Sequence, residues 1–291
     1  MQAFLFYLTY PLIYLIALLP FRALYAFSDF LYYILKLTGY RQKVVLENLR
    51  NSFPEKSEKE IQKIAEDFFR YLCDIILETF KTMTMSEKEA RERCYFHNPE
   101  WLNEMHKEKK SIIIVMGHYG NWEWAGPGFT LNSLYQLIVI YRPLSNKYFE
   151  NMMVKMRTKF GTKITPVAQT LRDMVANRKE VTATAFVADQ TAFPETAYWT
   201  TFLNQDTAVF TGTEKLAVKF NYPVVYMNVK RVKRGYYETF PELLFPNPAI
   251  TQPDEISETF TKRLEKEIML DPATWLWSHR RWKHKRIKKQ L

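Results

Sequence analysis

The sequence predicts an α/β fold: a mixed, mostly parallel sheet flanked by helices, with an N-terminal membrane-anchoring helix. Three observations predict it. Short β-branched runs alternate with stretches of helical periodicity from residue 111 onward. Polar side chains follow the ends of those runs, and ligands of open α/β sheets bind at the carboxyl ends of strands. Residues 1–21 carry no charged side chain, about the 20 apolar positions that a helix needs to span a hydrocarbon core.

The elements follow in order. A secretory signal would begin with basic residues and end in a small-residue cleavage site, and neither is present at residues 1–21; a buried core helix is the other alternative. Residues 23–37 are again apolar and rich in tyrosine, a composition suited to headgroup depth. Arg22, Lys36, Arg41 and Lys43 come after the apolar segment, which places the body on the cytoplasmic side. Two regions are therefore expected, an anchor and interfacial helix over 1–40 and a main domain over 41–291 ending in a basic arm. Ser57-x-x-Glu60 reads as a capping box opening a helix, with Ile61, Ile64, Ala65, Phe68, Leu72, Ile75 and Ile76 as its core stripe. Ser86-x-x-Glu89 opens a shorter one. Residues 111–116 (SIIIVM) read as a strand, 117–121 (GHYGN) as a turn, and 122–125 as the start of a helix. Strands over 134–141, 164–167, 181–188 and 224–229 then alternate with helices over 146–159, 171–176, 213–220 and 257–270.

Composition narrows the function. Of 291 residues 47% are apolar and eight are glycine, which excludes a disordered chain and a Gly-rich one. Two cysteines make no disulfide framework and fit a reducing compartment. Cys94-x-x-His97 has no second pair to complete a zinc site. The net charge of +10 is concentrated: seven cations lie within residues 280–289, and the rest of the chain balances 34 cations against 31 acids. Such an arm, with Trp275, Trp277 and Trp282 beside it, suits an anionic lipid surface. Nucleic-acid binding is the rival use, and a solvated charge run the plain one.

His118 and Glu123 stand five apart, a spacing that chance supplies often; context gives it weight. His118 lies in a Gly-flanked turn after a buried strand, and Glu123 falls in the first turn of the next helix. A carboxylate there fixes the imidazole tautomer and stabilises the imidazolium formed when histidine takes a proton. The alternative is a histidine capping the helix with Glu123 in solvent. No G-x-S-x-G elbow is present and neither cysteine lies near the turn, so the base would activate a substrate hydroxyl directly. Arg142 and Asp189 also follow strand ends. Arg142 suits an anion or a developing oxyanion, or else a structural ion pair; Asp189 suits the same cleft, or a turn cap.

Gly117-His118-Tyr119-Gly120-Asn121-Trp122-Glu123, Tyr141-Arg142-Pro143, Ala188-Asp189-Gln190 and the block from Trp277 to Lys283 resemble, in order, the motifs of the bacterial lipid A secondary acyltransferases. These are lauroyl and myristoyl transferases of the lysophospholipid acyltransferase superfamily. The resemblance implies an enzyme of the inner membrane acting on its cytoplasmic face. It would transfer a fatty acyl chain from acyl carrier protein, or from acyl-coenzyme A, to a hydroxyl of a lipid A precursor. His118 would be the base and Glu123 its partner, with Arg142 and Asp189 as substrate-binding or charge-stabilising positions. No metal, organic cofactor or nucleic acid is implied. Leu203-Asn204 stand where the family usually has Phe-Gly, a departure expected to alter a turn of the acyl cleft. The same chemistry on an aminolipid, glycolipid or lysophospholipid is the near alternative, and a non-catalytic basic membrane-surface protein the distant one.

Overall fold

The structure, a computed structural model, describes residues 2–97 and 99–286. Two helices open it, α1 (Gln2–Leu18) and α2 (Phe21–Thr38), followed by α3 (Gln42–Ser52), α4 (Glu58–Lys81) and α5 (Glu87–Arg93). Next come β1 (Cys94–Phe96), α6 (Pro99–Lys107), β2 (Ile112–Met116), α7 (Trp122–Asn132), β3 (Gln136–Tyr141) and α8 (Lys147–Thr158). They lead into β4 (Lys163–Pro166), α9 (Thr170–Ala176) and β5 (Thr182–Val187). A hairpin of β6 (Tyr198–Phe202) and β7 (Gln205–Val209) precedes α10 (Gly212–Phe220), β8 (Val224–Lys233), β9 (Tyr236–Phe245) and α11 (Glu255–Leu270).

Seven strands form one sheet in the order β1-β9-β8-β2-β5-β3-β4. Neighbours run parallel except β8 and β9, which form an antiparallel hairpin. The expected mixed, mostly parallel sheet is therefore present. All five residues of β2 are buried because both faces of the sheet are covered, which is why its sequence is continuously apolar instead of alternating. Ile113 and Val115 pack among Phe68, Phe260 and Trp277 on one face. Ile112, Ile114 and Met116 meet Trp124, Phe129 and Leu137 on the other.

α4 begins where its capping box predicts, with Ser57 and Glu60 bonded reciprocally. Its inward stripe is shifted from the expected one: Ile76 is 41% exposed, while Tyr71, Asp74 and Glu78 are buried. Periodicity of apolar residues cannot reveal a buried face made partly of acids.

Two expectations are corrected. The expected transmembrane helix is not formed: α1 is 17 residues, about 26 Å at 1.5 Å per residue, and no helix among the described residues is long and apolar enough to cross a membrane. The apolar run is interrupted because Pro20 cannot donate to an ongoing helix and instead caps α2. Lys81 closes the end of α1 by donating to the carbonyls of Ala17 and Leu19, at 3.0 and 2.8 Å. Only Ala17 of α1 is buried, whereas Phe4, Tyr7, Leu8, Leu12 and Leu15 are exposed. The basic arm is also more internal than its composition suggests. Trp275 and Trp277 are core residues and Arg281 is buried, so these tryptophans do not form an interfacial belt. Residues 287–289 of the arm lie outside the described residues.

The Leu203-Asn204 turn joins β6 and β7 with φ of 50° and 60°, the left-handed pair that a two-residue hairpin requires. Asparagine tolerates that conformation, so the hairpin forms without a glycine at this turn. The turn is seated against α3 through Asn204 Nδ2 and the Ser52 carbonyl and is not part of the cleft described below.

Candidate active site

β2, β5 and β3 are consecutive parallel neighbours, and Met116 pairs with Val187. Register therefore sets the residues just beyond β2 against those just beyond β5. His118 and Asp189 meet there. The Asp189 carboxylate accepts from the His118 backbone N–H at 2.8 Å and lies 2.6 Å from its Nδ1. Trp275 Nε1 donates to the same carboxylate at 2.8 Å.

Asp189 can only accept while ionised, so it assigns the imidazole proton to Nδ1 and leaves Nε2 a free acceptor. Gln190 Nε2 stands 3.2 Å from that nitrogen. Burial opposes ionisation of Asp189, but the charge and hydrogen bond of His118, with those of Trp275 and the backbone, win and hold its carboxyl at about 2. His118 retains an exposed edge, its side chain being 16% accessible. The pair has the geometry of an imidazole and its orienting carboxylate, with Nε2 on the accessible side.

The expected contact between Glu123 and the imidazole is not the one formed. Glu123 instead pairs bidentately with Arg157 in the last turn of α8, Nε to Oε2 at 3.0 Å and Nη2 to Oε1 at 2.6 Å. Glu123 is in the first turn of α7 as predicted. The fork of an arginine matches a carboxylate better than an imidazole does, and Asp189 already occupies Nδ1. Arg142 follows β3 and is exposed at the cleft rim.

His118, Glu123, Arg142, Arg157 and Gln190 line one cavity of about 740 Å³. Its apolar wall includes Val139, Ile140, Phe186, Val187, Phe193 and Phe210. A histidine in a largely apolar cleft suits a substrate with an aliphatic chain and a reacting polar group. Cys73 and Cys94 are both buried, and burial pushes both thiols up to about 12, so neither supplies a thiolate nucleophile.

The turn that carries His118 is held from three sides. Gly120 has a φ of 56° and a Cβ there would stand 1.9 Å from the Val229 carbonyl oxygen, so only glycine fits. The Gly120 N–H donates to the Thr274 carbonyl at 3.1 Å and the Leu276 N–H to the His118 carbonyl at 3.2 Å. Tyr71 donates to the Gly120 carbonyl, and Asn121 caps α7 by accepting from the Trp124 N–H at 2.9 Å. Residues 275–281 also brace the loop after β5. Thr191 bonds His279 Nε2 and the carbonyls of Arg280 and Arg281, and burial lowers the His279 imidazole to about 4, keeping it neutral.

Arg157 is not singled out by sequence, and Gln190, Trp275 and His279 enter there only within motif blocks or as aromatics beside the basic arm, with no role at the site. Arg157 is one of several cations on a predicted amphipathic helix, with no local pattern to distinguish it. Trp275 stands among tryptophans expected at a lipid surface and His279 within a block that carries the family resemblance, and only their return to the sheet edge shows their place.

Residues 1–284 match the family described as bacterial lipid A biosynthesis acyltransferase. Among similar proteins, the lipid A biosynthesis palmitoleoyltransferase of Escherichia coli K12 is 23% identical over 247 residues, covering 84% of this chain and 79% of that protein. The lipid A biosynthesis lauroyltransferase of the same organism is 24% identical over 250 residues, with the same coverage. A lipid A biosynthesis acyltransferase of Haemophilus influenzae is 20% identical over 236 residues, covering 79% of this chain and 72% of that protein.

Proposed function

The chain belongs to the bacterial lipid A biosynthesis acyltransferase family and is an acyltransferase, and from that premise we propose that it acylates a hydroxyl of a lipid A precursor at a membrane surface. The donor is an acyl thioester, carried by acyl carrier protein or coenzyme A. The observation that carries this reading is the His118–Asp189 pair, with His118 lining a largely apolar cleft.

His118 Nε2 takes the proton of the acceptor hydroxyl as its oxygen attacks the thioester carbonyl. The tetrahedral adduct collapses, the carbon–sulfur bond breaks, and the thiol leaves with the proton returned by the imidazolium. Asp189 keeps Nδ1 protonated and stabilises the imidazolium. Glu123 and Arg157 form the polar wall beside the reacting group, and Arg142 at the rim meets an anionic part of a substrate. No acyl-enzyme is involved.

The exposed apolar residues of α1 support a surface-lying mode of membrane contact, with residues 1–40 as the anchoring region; in this reading the site is the cytoplasmic face of the inner membrane. Gln2 accepts from Asn146 in the rim loop, and the Phe6 ring stacks on Tyr148 at 5.7 Å. α1 therefore packs beside the segment that follows Arg142 of the cleft rim, and an acceptor in the leaflet would enter near it. Replacing Leu8, Leu12 and Leu15 together with lysine should abolish vesicle flotation with the melting temperature little changed, because all three are exposed.

The deciding experiment is transfer of labelled acyl groups from acyl carrier protein to a tetra-acylated lipid A precursor. Label on the precursor with wild type and none with folded His118→Ala supports the reading. Full activity in His118→Ala sinks the mechanism, and no label with wild type removes the acceptor.

A further inference from the structure

Behind the His118 turn, on the side away from the cleft, lies a carboxylate that the mechanism does not use. Glu78 of α4 is 0% exposed. It accepts three side-chain hydrogen bonds: from Tyr25 of α2 at 2.8 Å, from Tyr237 of β9 at 2.8 Å and from Asn121 Nδ2 at 2.7 Å. Its backbone carbonyl accepts from Trp124 Nε1 at 2.9 Å. Water does not reach this carboxylate, and its three partners come from α2, β9 and the cap of α7.

We propose that Glu78 is a positioning residue of the acyl-transfer reaction, setting through Asn121 the placement of both His118 and Glu123. The inference rests on the functional reading above. Asn121 is bound at both ends of its amide: Oδ1 accepts from the Trp124 N–H and Nδ2 donates to Glu78. The Glu78 acceptor therefore fixes which way the amide faces. An amide facing the other way would lose the cap of α7 and leave a buried donor without a partner. Asn121 lies three residues after His118 and two before Glu123, so one side chain governs the end of the turn and the start of the helix. Gly120 between them has no alternative seat, since its backbone lies against Val229.

Asp74, one helical turn earlier, has a different task. It is bonded by Ser28 and neutralised by Arg231 and Arg234, at 3.1 and 2.7 Å. The cations go to Asp74, and Glu78 meets neutral donors. Burial and the charge of Asp74 push the Glu78 carboxyl up to about 7. An acceptor oxygen is what the geometry requires there, and glutamine also supplies one: its amide can turn so that the oxygen serves Asn121 and Tyr237 while its NH2 donates to the Tyr25 oxygen.

The experiment is steady-state acyl transfer to the lipid A precursor by full-length wild type, Glu78→Ala, Glu78→Gln, Asn121→Ala and Tyr25→Phe, each checked for folding by thermal melting. Glu78→Ala and Asn121→Ala should each lose roughly 100-fold in kcat, as a misplacement of about 1 Å would cause, with KM for donor and acceptor within about threefold. Glu78→Gln should recover kcat to within about fivefold of wild type, and Tyr25→Phe, which leaves the Asn121 bond intact, to within about twofold. If Glu78→Ala does not fold, Asn121→Ala carries the test, because it keeps the carboxylate and its tyrosines. Wild-type kcat in folded Glu78→Ala or Asn121→Ala overturns the inference. So does a loss confined to KM, a Glu78→Gln no better than Glu78→Ala, or a Tyr25→Phe as impaired as Asn121→Ala. Absence of transfer by wild type overturns the functional reading instead.

Discussion

Two carboxylates hold opposite ends of the same turn, and their surroundings drive them apart. Asp189, beside the cleft, is 5% exposed and held at about 2; Glu78, behind the turn, is 0% exposed and raised to about 7. Burial alone would raise both. The difference lies in the partners, an imidazole that can carry charge for Asp189 and neutral hydroxyls and an amide for Glu78. On the cleft side the carboxylate stays charged beside an imidazole, and on the rear side it meets the turn through an amide donor.

Removing the charge at the cleft should have the largest effect. Asp189→Asn should reduce acyl transfer by about 10³- to 10⁴-fold with the fold intact, since an amide facing Nδ1 favours the wrong tautomer. Transfer within tenfold of wild type would show that charge at Asp189 is not what separates the two sides. Gly120→Ala is next, testing whether the shared turn has any freedom. Its φ of 56° and the 1.9 Å approach to the Val229 oxygen should cost about 3 kcal/mol or more in denaturant unfolding; a loss under 1 kcal/mol would show that the turn relocates.

Arg157→Met makes a third case of the comparison, because it removes the cation from Glu123, whose side chain is 14% accessible. About 2 kcal/mol of stability should be lost, less than for a fully buried pair because Arg157 is 30% accessible. The double variant Arg157→Met/Glu123→Gln should regain stability without regaining transfer.

The same contrast is read in the pH dependence of melting. The Asp189 value of about 2 lies below its ordinary 3.8, so its contribution is complete above about pH 4 and lost as pH falls toward 2. The Glu78 value of about 7 lies above its ordinary 4.5, so its contribution is complete below about pH 4.5 and lost as pH rises through 7. Asp74, Arg231, Tyr25 and Tyr237 surround Glu78 and remain in Glu78→Gln. That variant should flatten the loss between pH 5 and 8 and leave the acid limb unchanged. An unaltered neutral limb would place Glu78 in the ordinary carboxylate range and erase the contrast.

Much of this molecule is determined within short windows of sequence. The capping boxes at Ser57 and Ser86 start helices at those positions, because a cap is a contact between residues three apart. The run at 112–116 is a fully buried strand, and the GHYGN segment is a turn opening a helix, because β-branched residues and glycine act on their own backbone. The blocks that resemble lipid A acyltransferases are equally local, and the family is the one they indicate. Pairing between distant residues is not written that way. Spacing places Glu123 within reach of His118, but strand order brings Asp189 there from 71 residues away and gives Glu123 to Arg157. Apolar periodicity shows α4 to be amphipathic, but the burial of Asp74 and Glu78 depends on partners in α2, β8, β9 and the β8–β9 turn. Composition likewise shows tryptophans beside a basic arm, and only the return of that segment to the sheet edge makes Trp275 a donor to Asp189. Hydrophobic and backbone preferences are properties of a residue and its neighbours. Charge pairing, tautomer and burial of a polar group belong to contacts that exist only after the sheet has formed.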